Sequence, residues 1–283
     1  MAVKKLDLDV VVCAKNRATQ LERVLKQIIH EIPFKDLIVI YGSSKDKTRE
    51  VAERYATKVF WDGDKGLGAA RNLGIRKAGS ELVAMIDTDV LLTKDWYKHL
   101  VRHFENDKVA AVMGSQIYGY GCQPIQRIFE YWRERNQVDW SCSNTIFRRN
   151  SVLEVGNFDK DIHGAGEDYD LYKRLLIAGY KWIWDREVVV YHPMNFFEAL
   201  NHKVSWAIGV PYMREFMVQL KTCSLFRIYC RSAFLFLLTL RESVRLAFSV
   251  DPSMLFFLPM SETMIATSRL KALKKMLKVQ VYS

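Results

Sequence analysis

Cysteines are few in this chain, and none of them forms a recognisable pair. The 283 residues include five, at positions 13, 122, 142, 223 and 230. Structural zinc sites and the disulfide frameworks of small secreted proteins need closely spaced cysteine pairs. The wide spacing and the odd number argue against both, and they favour a reducing, cytoplasmic compartment.

Long hydrophobic runs are also missing. The densest apolar stretch, Ala233 to Leu240, lies between Arg231 and Arg241. A membrane-spanning helix needs about 20 consecutive apolar residues. The first ten residues mix lysines and aspartates with apolar residues, unlike the core of a signal peptide. We therefore expect neither a signal peptide nor a simple transmembrane helix.

Acidic residues are outnumbered, since 32 Asp and Glu stand against 42 Lys and Arg and the formal net charge is +10. Residues 263–283 hold five basic residues and no acidic one, whereas acidic residues cluster in 154–170. This basic end favours a polyanionic partner, either phosphates or an anionic membrane surface, rather than nucleic acid. A merely soluble basic surface is the alternative. The 49% of hydrophobic residues excludes a disordered chain.

Strand and helix signals alternate along about the first 90 residues. Apolar runs rich in β-branched residues are followed by segments with apolar residues at helical spacing. The predicted strands are Leu8–Ala14, Leu37–Tyr41, Lys58–Trp61 and Leu82–Ile86, and the predicted helices cover 19–30, 48–55 and 69–78. This order predicts an α/β fold in which a parallel sheet lies between helices, a Rossmann-like α/β/α sandwich. Such folds bind ligands at the carboxyl ends of their strands.

The pattern is less regular from residue 109 to 191. Strands are predicted at 109–113, 142–148 and 181–191, and helices at 124–135, 151–155 and 168–178. Beyond about residue 195 the pattern is wholly helical and rich in Phe, Leu, Met and Arg. We therefore predict two domains, residues 1–195 and a helical C-terminal extension at 196–283.

Two carboxylates flank one residue at the end of the fourth predicted strand, in Asp87-Thr88-Asp89. Carboxylate oxygens suit a hard divalent cation, and Mg²⁺ and Mn²⁺ are commonly shared with substrate phosphates. The alternative is that both aspartates cap a helix or are solvated in a turn. The triplet alone does not decide between these alternatives.

Further polar segments occur in a set order around this triplet. They are Val11–Arg17, Gly42–Thr48, Gly66–Gly74, Phe147–Asp159, Gly166–Leu171 and Val188–His192. With this order and spacing, over about residues 6–195, the chain resembles the family 2 nucleotide-sugar glycosyltransferases of GT-A fold. The resemblance implies that fold and a reaction in which a sugar moves from a nucleoside-diphosphate sugar to a hydroxyl acceptor.

The resemblance assigns roles on the donor side. It implies that Asp87 and Asp89 hold Mn²⁺ or Mg²⁺ against the donor diphosphate, with the second aspartate usually the direct ligand. Asp46 takes the position of a contact to base and ribose, and Arg71 that of a contact to the nucleotide. The alternatives are that Asp46 caps the following helix and that Arg71 makes a surface ion pair.

Asn16 and Arg17, after the first predicted strand, and Tyr41, after the second, complete the predicted substrate contacts. In the family an acidic pair usually stands where this chain has Tyr41-Gly42. Tyr41 can stack on a base without distinguishing among bases as a carboxylate would. The resemblance therefore leaves the nucleotide unassigned.

For Glu167-Asp168, the resemblance implies that Asp168 is the catalytic base and that Glu167 is part of the substrate site. The base deprotonates the acceptor hydroxyl as it attacks the anomeric carbon opposite the diphosphate, which inverts the configuration. The alternative is that both residues only complement a helix dipole. His192 resembles a histidine that reaches the metal or the diphosphate, with a structural histidine as the alternative.

The C-terminal region combines apolar and basic residues. Its apolar residues between 226 and 238 are interrupted or followed by Arg227, Arg231, Arg241 and Arg245, and the apolar segment 254–260 precedes a lysine-rich end. Helices of this kind lie in the membrane interface, where basic groups meet anionic headgroups. A lipid-linked acceptor would fit this interpretation. The alternative is a helical subdomain or a dimer interface that buries the apolar residues.

The sequence thus predicts an inverting, metal-dependent, hexosyltransferase-like enzyme in the cytoplasm or at the cytoplasmic face of the membrane. One rival is a non-catalytic, membrane-associated protein that binds nucleotide sugars. Loss of Asp89 or Asp168 would favour it, and both are present. The other rival is a sugar-nucleotide pyrophosphorylase, which usually needs a Gly-rich loop after the first strand. Residues 13–17 contain no glycine.

Overall fold

The computed structural model describes residues 7–135, 139–209 and 225–281. The strands are β1 (Leu8–Ala14), β2 (Leu37–Tyr41), β3 (Lys58–Trp61), β4 (Leu82–Ile86), β5 (Val109–Tyr120), β6 (Asn144–Arg148) and β7 (Lys181–Pro193). The helices are α1 (Ala18–Glu31), α2 (Thr48–Tyr55), α3 (Leu67–Lys77), α4 (Trp96–Val101), α5 (Gln123–Arg135), α6 (Arg149–Glu154), α7 (Glu167–Ile177), α8 (Phe196–Ala207), α9 (Leu225–Ser249) and α10 (Met254–Val281).

The strands form one sheet in the order β3-β2-β1-β4-β6-β5-β7. β1 pairs in parallel with β2 and β4, and β2 pairs in parallel with β3, as predicted. β6, for which no direction was predicted, runs antiparallel to β4 and β5. The chain returns to the sheet at the edge where β4 ends, with Asn144 of β6 opposite Ile86. This return brings the residues just before β6 to the carboxyl ends of the parallel strands.

Both faces of the sheet are covered by apolar side chains. Successive residues of β1 point to opposite faces, so Val10 and Val12 join a cluster with Leu25 of α1. Val11 joins a second cluster with Ile75 of α3. A strand buried on both faces is continuously apolar, and this explains the uninterrupted run that predicted β1. The α/β/α sandwich is therefore confirmed.

The described residues divide into two compact units. The first unit consists of the residues up to Ile117 and of those from the end of α5 to Pro193. The second unit consists of the segment from Tyr118 through α5 and of the residues from Met194 onward. In the second unit, Phe129 of α5 is buried in one cluster with Leu246 of α9 and Phe257 of α10. This burial groups α5 with the C-terminal helices. The division into domains 1–195 and 196–283 stays a prediction.

None of the helices in the described ranges combines the length and the apolar character that a membrane span requires.

Candidate active site

The turns that follow β1 and β2 are joined by hydrogen bonds to side chains. Asp46 accepts from the backbone N–H of Ala18 at 3.0 Å and of Thr48 at 3.1 Å, at the starts of α1 and α2. Asn16 accepts from the N–H of Lys45 at 2.7 Å. The hydrogen bonds from Ala18 and Thr48 lower the pKa of Asp46. The capping alternative for Asp46 is thus observed, while its contact to base and ribose stays a prediction.

Two other predicted donor contacts lie at the same ends of these strands. The backbone N–H of Arg17 donates to Thr48 Oγ1 at 2.9 Å, and the Arg17 side chain is exposed. Tyr41, the last residue of β2, is partly buried, and the Arg49 guanidinium lies 5.8 Å from its ring centroid. The exposed guanidinium of Arg17 can therefore meet an anionic ligand at this edge of the sheet.

Sequence reasoning missed a second pair of aspartates, Asp62 and Asp64, which follows β3. Asp64 accepts from Lys15 Nζ at 2.8 Å and from the N–H of Ser43 at 3.0 Å, and such donors lower its pKa to about 2. Burial raises the pKa of Asp62. A signal was present, because Asp-Gly-Asp follows β3 as Asp-Thr-Asp follows β4. Asp64 therefore ties the turns after β1, β2 and β3 together.

Arg71 of α3 lies enclosed between two carboxylates. Its side chain is 4% exposed, and it donates to Asp87 Oδ1 at 3.0 Å, to Asp87 Oδ2 at 3.3 Å and to Glu167 Oε1. This burial excludes the alternative of a surface ion pair. The nucleotide contact of Arg71 stays a prediction. The guanidinium joins the Asp-x-Asp motif to the Glu-Asp pair, which are far apart in sequence.

Glycines let α3 start close to the segment that precedes α7. Gly66 has φ +92°, in the left-handed region that favours glycine. A Cβ on Gly68 would lie 2.3 Å from the carbonyl oxygen of Asp159 and 2.6 Å from that of Ile162. The N–H of Gly68 donates to the Ile162 carbonyl at 3.1 Å. This close approach places Arg71, one turn along α3, within reach of Glu167.

Burial and the Arg71 guanidinium act in opposite directions on the pKa of the carboxyl groups at the start of α7. Burial raises the pKa of Glu167, which is 2% exposed, against the opposing effect of the Arg71 guanidinium. Burial also raises the pKa of Asp168, whose Oδ1 accepts from the N–H of Tyr169 at 2.8 Å. Burial raises the pKa of nearby Asp139 to about 6. A raised pKa helps a carboxylate to accept a proton near neutral pH, so the shift at Asp168 suits a general base.

Asp89 and His192 come together at the end of β7. Leu91, just after Asp89, pairs with Tyr191 of β7, and Asp89 Oδ1 lies 3.3 Å from His192 Nε2. Two adjacent ligands of an octahedral ion with bonds of about 2.1 Å lie about 3 Å apart. Mn²⁺ accepts both carboxylate oxygen and imidazole nitrogen. The donor set therefore fits a divalent cation.

The family model described as Glycosyl transferase family 2 matches residues 9–174, more than half of the chain. The chain belongs to glycosyltransferase family 2. This family 2 enzyme is a nucleotide-sugar glycosyltransferase, as the sequence predicted. Membership of this family argues against the alternative of a sugar-nucleotide pyrophosphorylase. The matched residues include the turns after β1 and β2, the Asp-x-Asp motif and the start of α7.

Curated relatives of this family 2 enzyme are also glycosyltransferases. The chain is 25% identical over 213 residues to glycosyltransferase AglE of Haloferax volcanii, a match covering 69% of this chain and 70% of AglE. It is 26% identical over 236 residues to the poly-β-1,6-N-acetyl-D-glucosamine synthase of Staphylococcus aureus, covering 73% of this chain and 56% of the synthase.

A solved structure has a similar fold. The mannosyltransferase PcManGT from Pyrobaculum calidifontis, in complex with GDP-Man and Mn²⁺, matches with a TM-score of 0.60 and 18% identity. The match covers 99% of this chain and 82% of PcManGT. The predicted GT-A fold is therefore confirmed.

Proposed function

We propose that this family 2 enzyme transfers a hexosyl group, with inversion, from a nucleoside-diphosphate sugar to a hydroxyl acceptor and requires Mn²⁺ or Mg²⁺. One observation carries the proposal: Arg71 joins Asp87 of the Asp-x-Asp motif to Glu167, the neighbour of Asp168. It supports a single site in which a metal-binding part and a general base lie side by side. The GDP-Man in the PcManGT structure supports a hexosyl donor.

On the donor side, Asp89 and His192 would hold the cation, with Asp87 beside them. A bound cation would supply Lewis-acid stabilisation of the charge that develops on the leaving diphosphate. The turns after β1 and β2 would receive the nucleotide through Asn16, Arg17, Tyr41 and Asp46. The common position of these residues at the carboxyl ends of parallel strands supports this role.

On the acceptor side, Asp168 would take the proton of the attacking hydroxyl. Its position in the first turn of α7 restrains the carboxylate, since Oδ1 already accepts from a backbone N–H of the helix. Partial burial favours proton uptake by this group. A single displacement from the face opposite the diphosphate inverts the anomeric carbon. NMR of the anomeric proton gives the configuration of the first product. Retention of the donor's anomeric configuration would contradict the proposal.

The requirement for a cation is tested by thermal unfolding with a panel of nucleoside diphosphates. We expect the melting temperature to rise with at least one of them in the presence of Mn²⁺ and to stay unchanged with EDTA. A ligand at 100 times its Kd adds about 2.7 kcal/mol to the free energy of unfolding. Stabilisation that is equal with Mn²⁺ and with EDTA, or absent with every nucleotide, would contradict the proposed donor site.

We further propose that α9 lies on an anionic membrane surface at the cytoplasmic face, as would suit a lipid-linked acceptor. Leu237, Val244 and Phe248 recur at helical spacing on one face of α9 and are exposed, by 64% for Leu237 and 90% for Phe248. Arg241 lies on the same face and is also exposed. Leu246, on the opposite face, is buried in the core of the second unit. An apolar face edged by a cation suits the membrane interface.

Some basic side chains of the C-terminal region lie outside the described part of the structure. They are those of Arg227, Arg231, Lys274, Lys275 and Lys278. The proposal for α9 therefore rests on its second half.

Sedimentation with vesicles that contain anionic lipid tests this surface. We expect the protein to co-sediment, and Phe248→Ser to lower the fraction bound, because burial of a Phe side chain contributes about 1.5–3 kcal/mol. Added salt should weaken the electrostatic part of the binding. Ile177→Ser is the matched control, since Ile177 ends α7 in the other unit and is 85% exposed. Protein that stays in the supernatant at low salt, or an equal loss in both variants, would contradict the surface proposed here.

A further inference from the structure

Three charged groups from three separate elements meet at the Arg71 guanidinium. Arg71 lies on α3, Asp87 directly after β4, and Glu167 in the first turn of α7. Arg71 and Glu167 are nearly completely buried, whereas the Asp87 side chain is 33% exposed. Two carboxylates thus share one guanidinium, and Asp87 is the member of this cluster that reaches solvent.

Glu167 has a feature that packing does not explain. Its Oε1 accepts from Arg71, while its Oε2 is buried and has no hydrogen-bond partner among the described residues. A buried carboxylate oxygen without a partner costs stability, because the water that it loses is not replaced. Polar groups retained at such a cost are commonly found at functional sites.

The contacts of Arg71 explain how Glu167 can act at a distance. The guanidinium is a rigid, planar fork whose donors are divided between Asp87 and Glu167. Without the negative charge of Glu167, the fork would pair more strongly with Asp87. Asp87 alone would then offset the positive charge of Arg71, and it would attract a cation less strongly.

We infer that Glu167 is a positioning residue that acts through Arg71 on Asp87 and thereby sets the affinity of the Asp87/Asp89 site for a divalent cation. The inference rests on the proposed function, since it requires that this site binds a cation. It gives Arg71 and Glu167 a role that needs no contact with the donor.

The test is a titration of the full chain with Mn²⁺ alone, with free Mn²⁺ followed by electron paramagnetic resonance. We expect Glu167→Gln to weaken Mn²⁺ binding by about tenfold, as substitutions of residues that hold metal ligands commonly do. Asp168→Asn is the matched control, because it removes the same charge from the adjacent residue, whose described hydrogen bond is with the N–H of Tyr169. We expect this control to cause a clearly smaller change.

A second variant separates the hydrogen bonds from the charges. Arg71→Lys keeps the positive charge and loses the planar fork. In that background, Glu167→Gln should cause no further loss of Mn²⁺ affinity. Circular dichroism and the melting temperature report whether each variant is folded. If Glu167→Gln does not fold, Arg71→Lys alone tests the inference, and we expect it to weaken Mn²⁺ binding as well.

The results distinguish a failure of the role of Glu167 from a failure of the proposed function. Equal losses in Glu167→Gln and Asp168→Asn, or additive losses in the double variant, would overturn the role of Glu167 and leave the proposed function intact. A wild-type protein that binds no Mn²⁺, alone or with a nucleoside diphosphate, would overturn both.

Discussion

Replacement of Asp168 with asparagine is expected to lower the rate of sugar transfer by about 10²–10⁴-fold and to leave the affinity for the nucleotide close to that of the wild type. A general base acts in the transition state, where it removes the proton of the attacking hydroxyl, and contributes little to the ground state. Asparagine keeps the size of the side chain but cannot take the proton. Initial rates and equilibrium binding of the nucleoside diphosphate measure the two quantities separately.

Asp170→Asn is the matched control for this prediction. Asp170 also lies in the first turn of α7, and it accepts hydrogen bonds from Arg174 at 2.9 and 2.6 Å. If the acidic residues only complemented the helix dipole, the two variants would lose activity to a similar, small degree. Transfer by Asp168→Asn at the parental rate would show that Asp168 is not the base.

Replacement of Asp89 with alanine is expected to abolish metal-dependent binding of a nucleoside diphosphate. A hard cation that bridges the protein and the phosphates loses a direct ligand, so the affinities for metal and nucleotide should fall together. Isothermal titration with the nucleotide, with and without Mn²⁺, measures the loss. Asp107→Ala is the control, because the Asp107 side chain is fully exposed and lies away from the candidate site. Unchanged nucleotide affinity in Asp89→Ala would contradict the metal assignment.

Much of the sheet could be predicted because its strands are buried on both faces. β1 to β4 have the predicted bounds, since continuous apolar runs are what such strands require. Helix α4 was not predicted: it is six residues long, and it begins after Asp95, whose left-handed conformation follows no common capping pattern. The direction of β6 was not predicted either. Strand direction depends on where the chain returns to the sheet, and the composition of a strand carries little information about that.

The candidate site was predictable in its chemistry and much less in its contacts. Carboxylates at the end of β4 and at the start of α7 are visible in the sequence, and their roles stay predictions. The burial of Arg71 between two of these carboxylates was not foreseen, because Glu167 and Asp87 lie 96 and 16 residues away from it in the sequence. The same holds for Asp64, which binds Lys15 and Ser43 from neighbouring turns.

By itself, the sequence determined most of the elements and many of the reactive groups that they carry, because periodicity, β-branching and helix signals act between residues close together in the chain. Only the tertiary structure decided which carboxylate has which partner. Hydrogen bonds and close ion pairs act over a few ångströms, and Arg71 and Glu167 come within that range only after α3 has packed against the segment before α7. The same packing decided that Asp87 shares a guanidinium, whereas Asp89 faces His192.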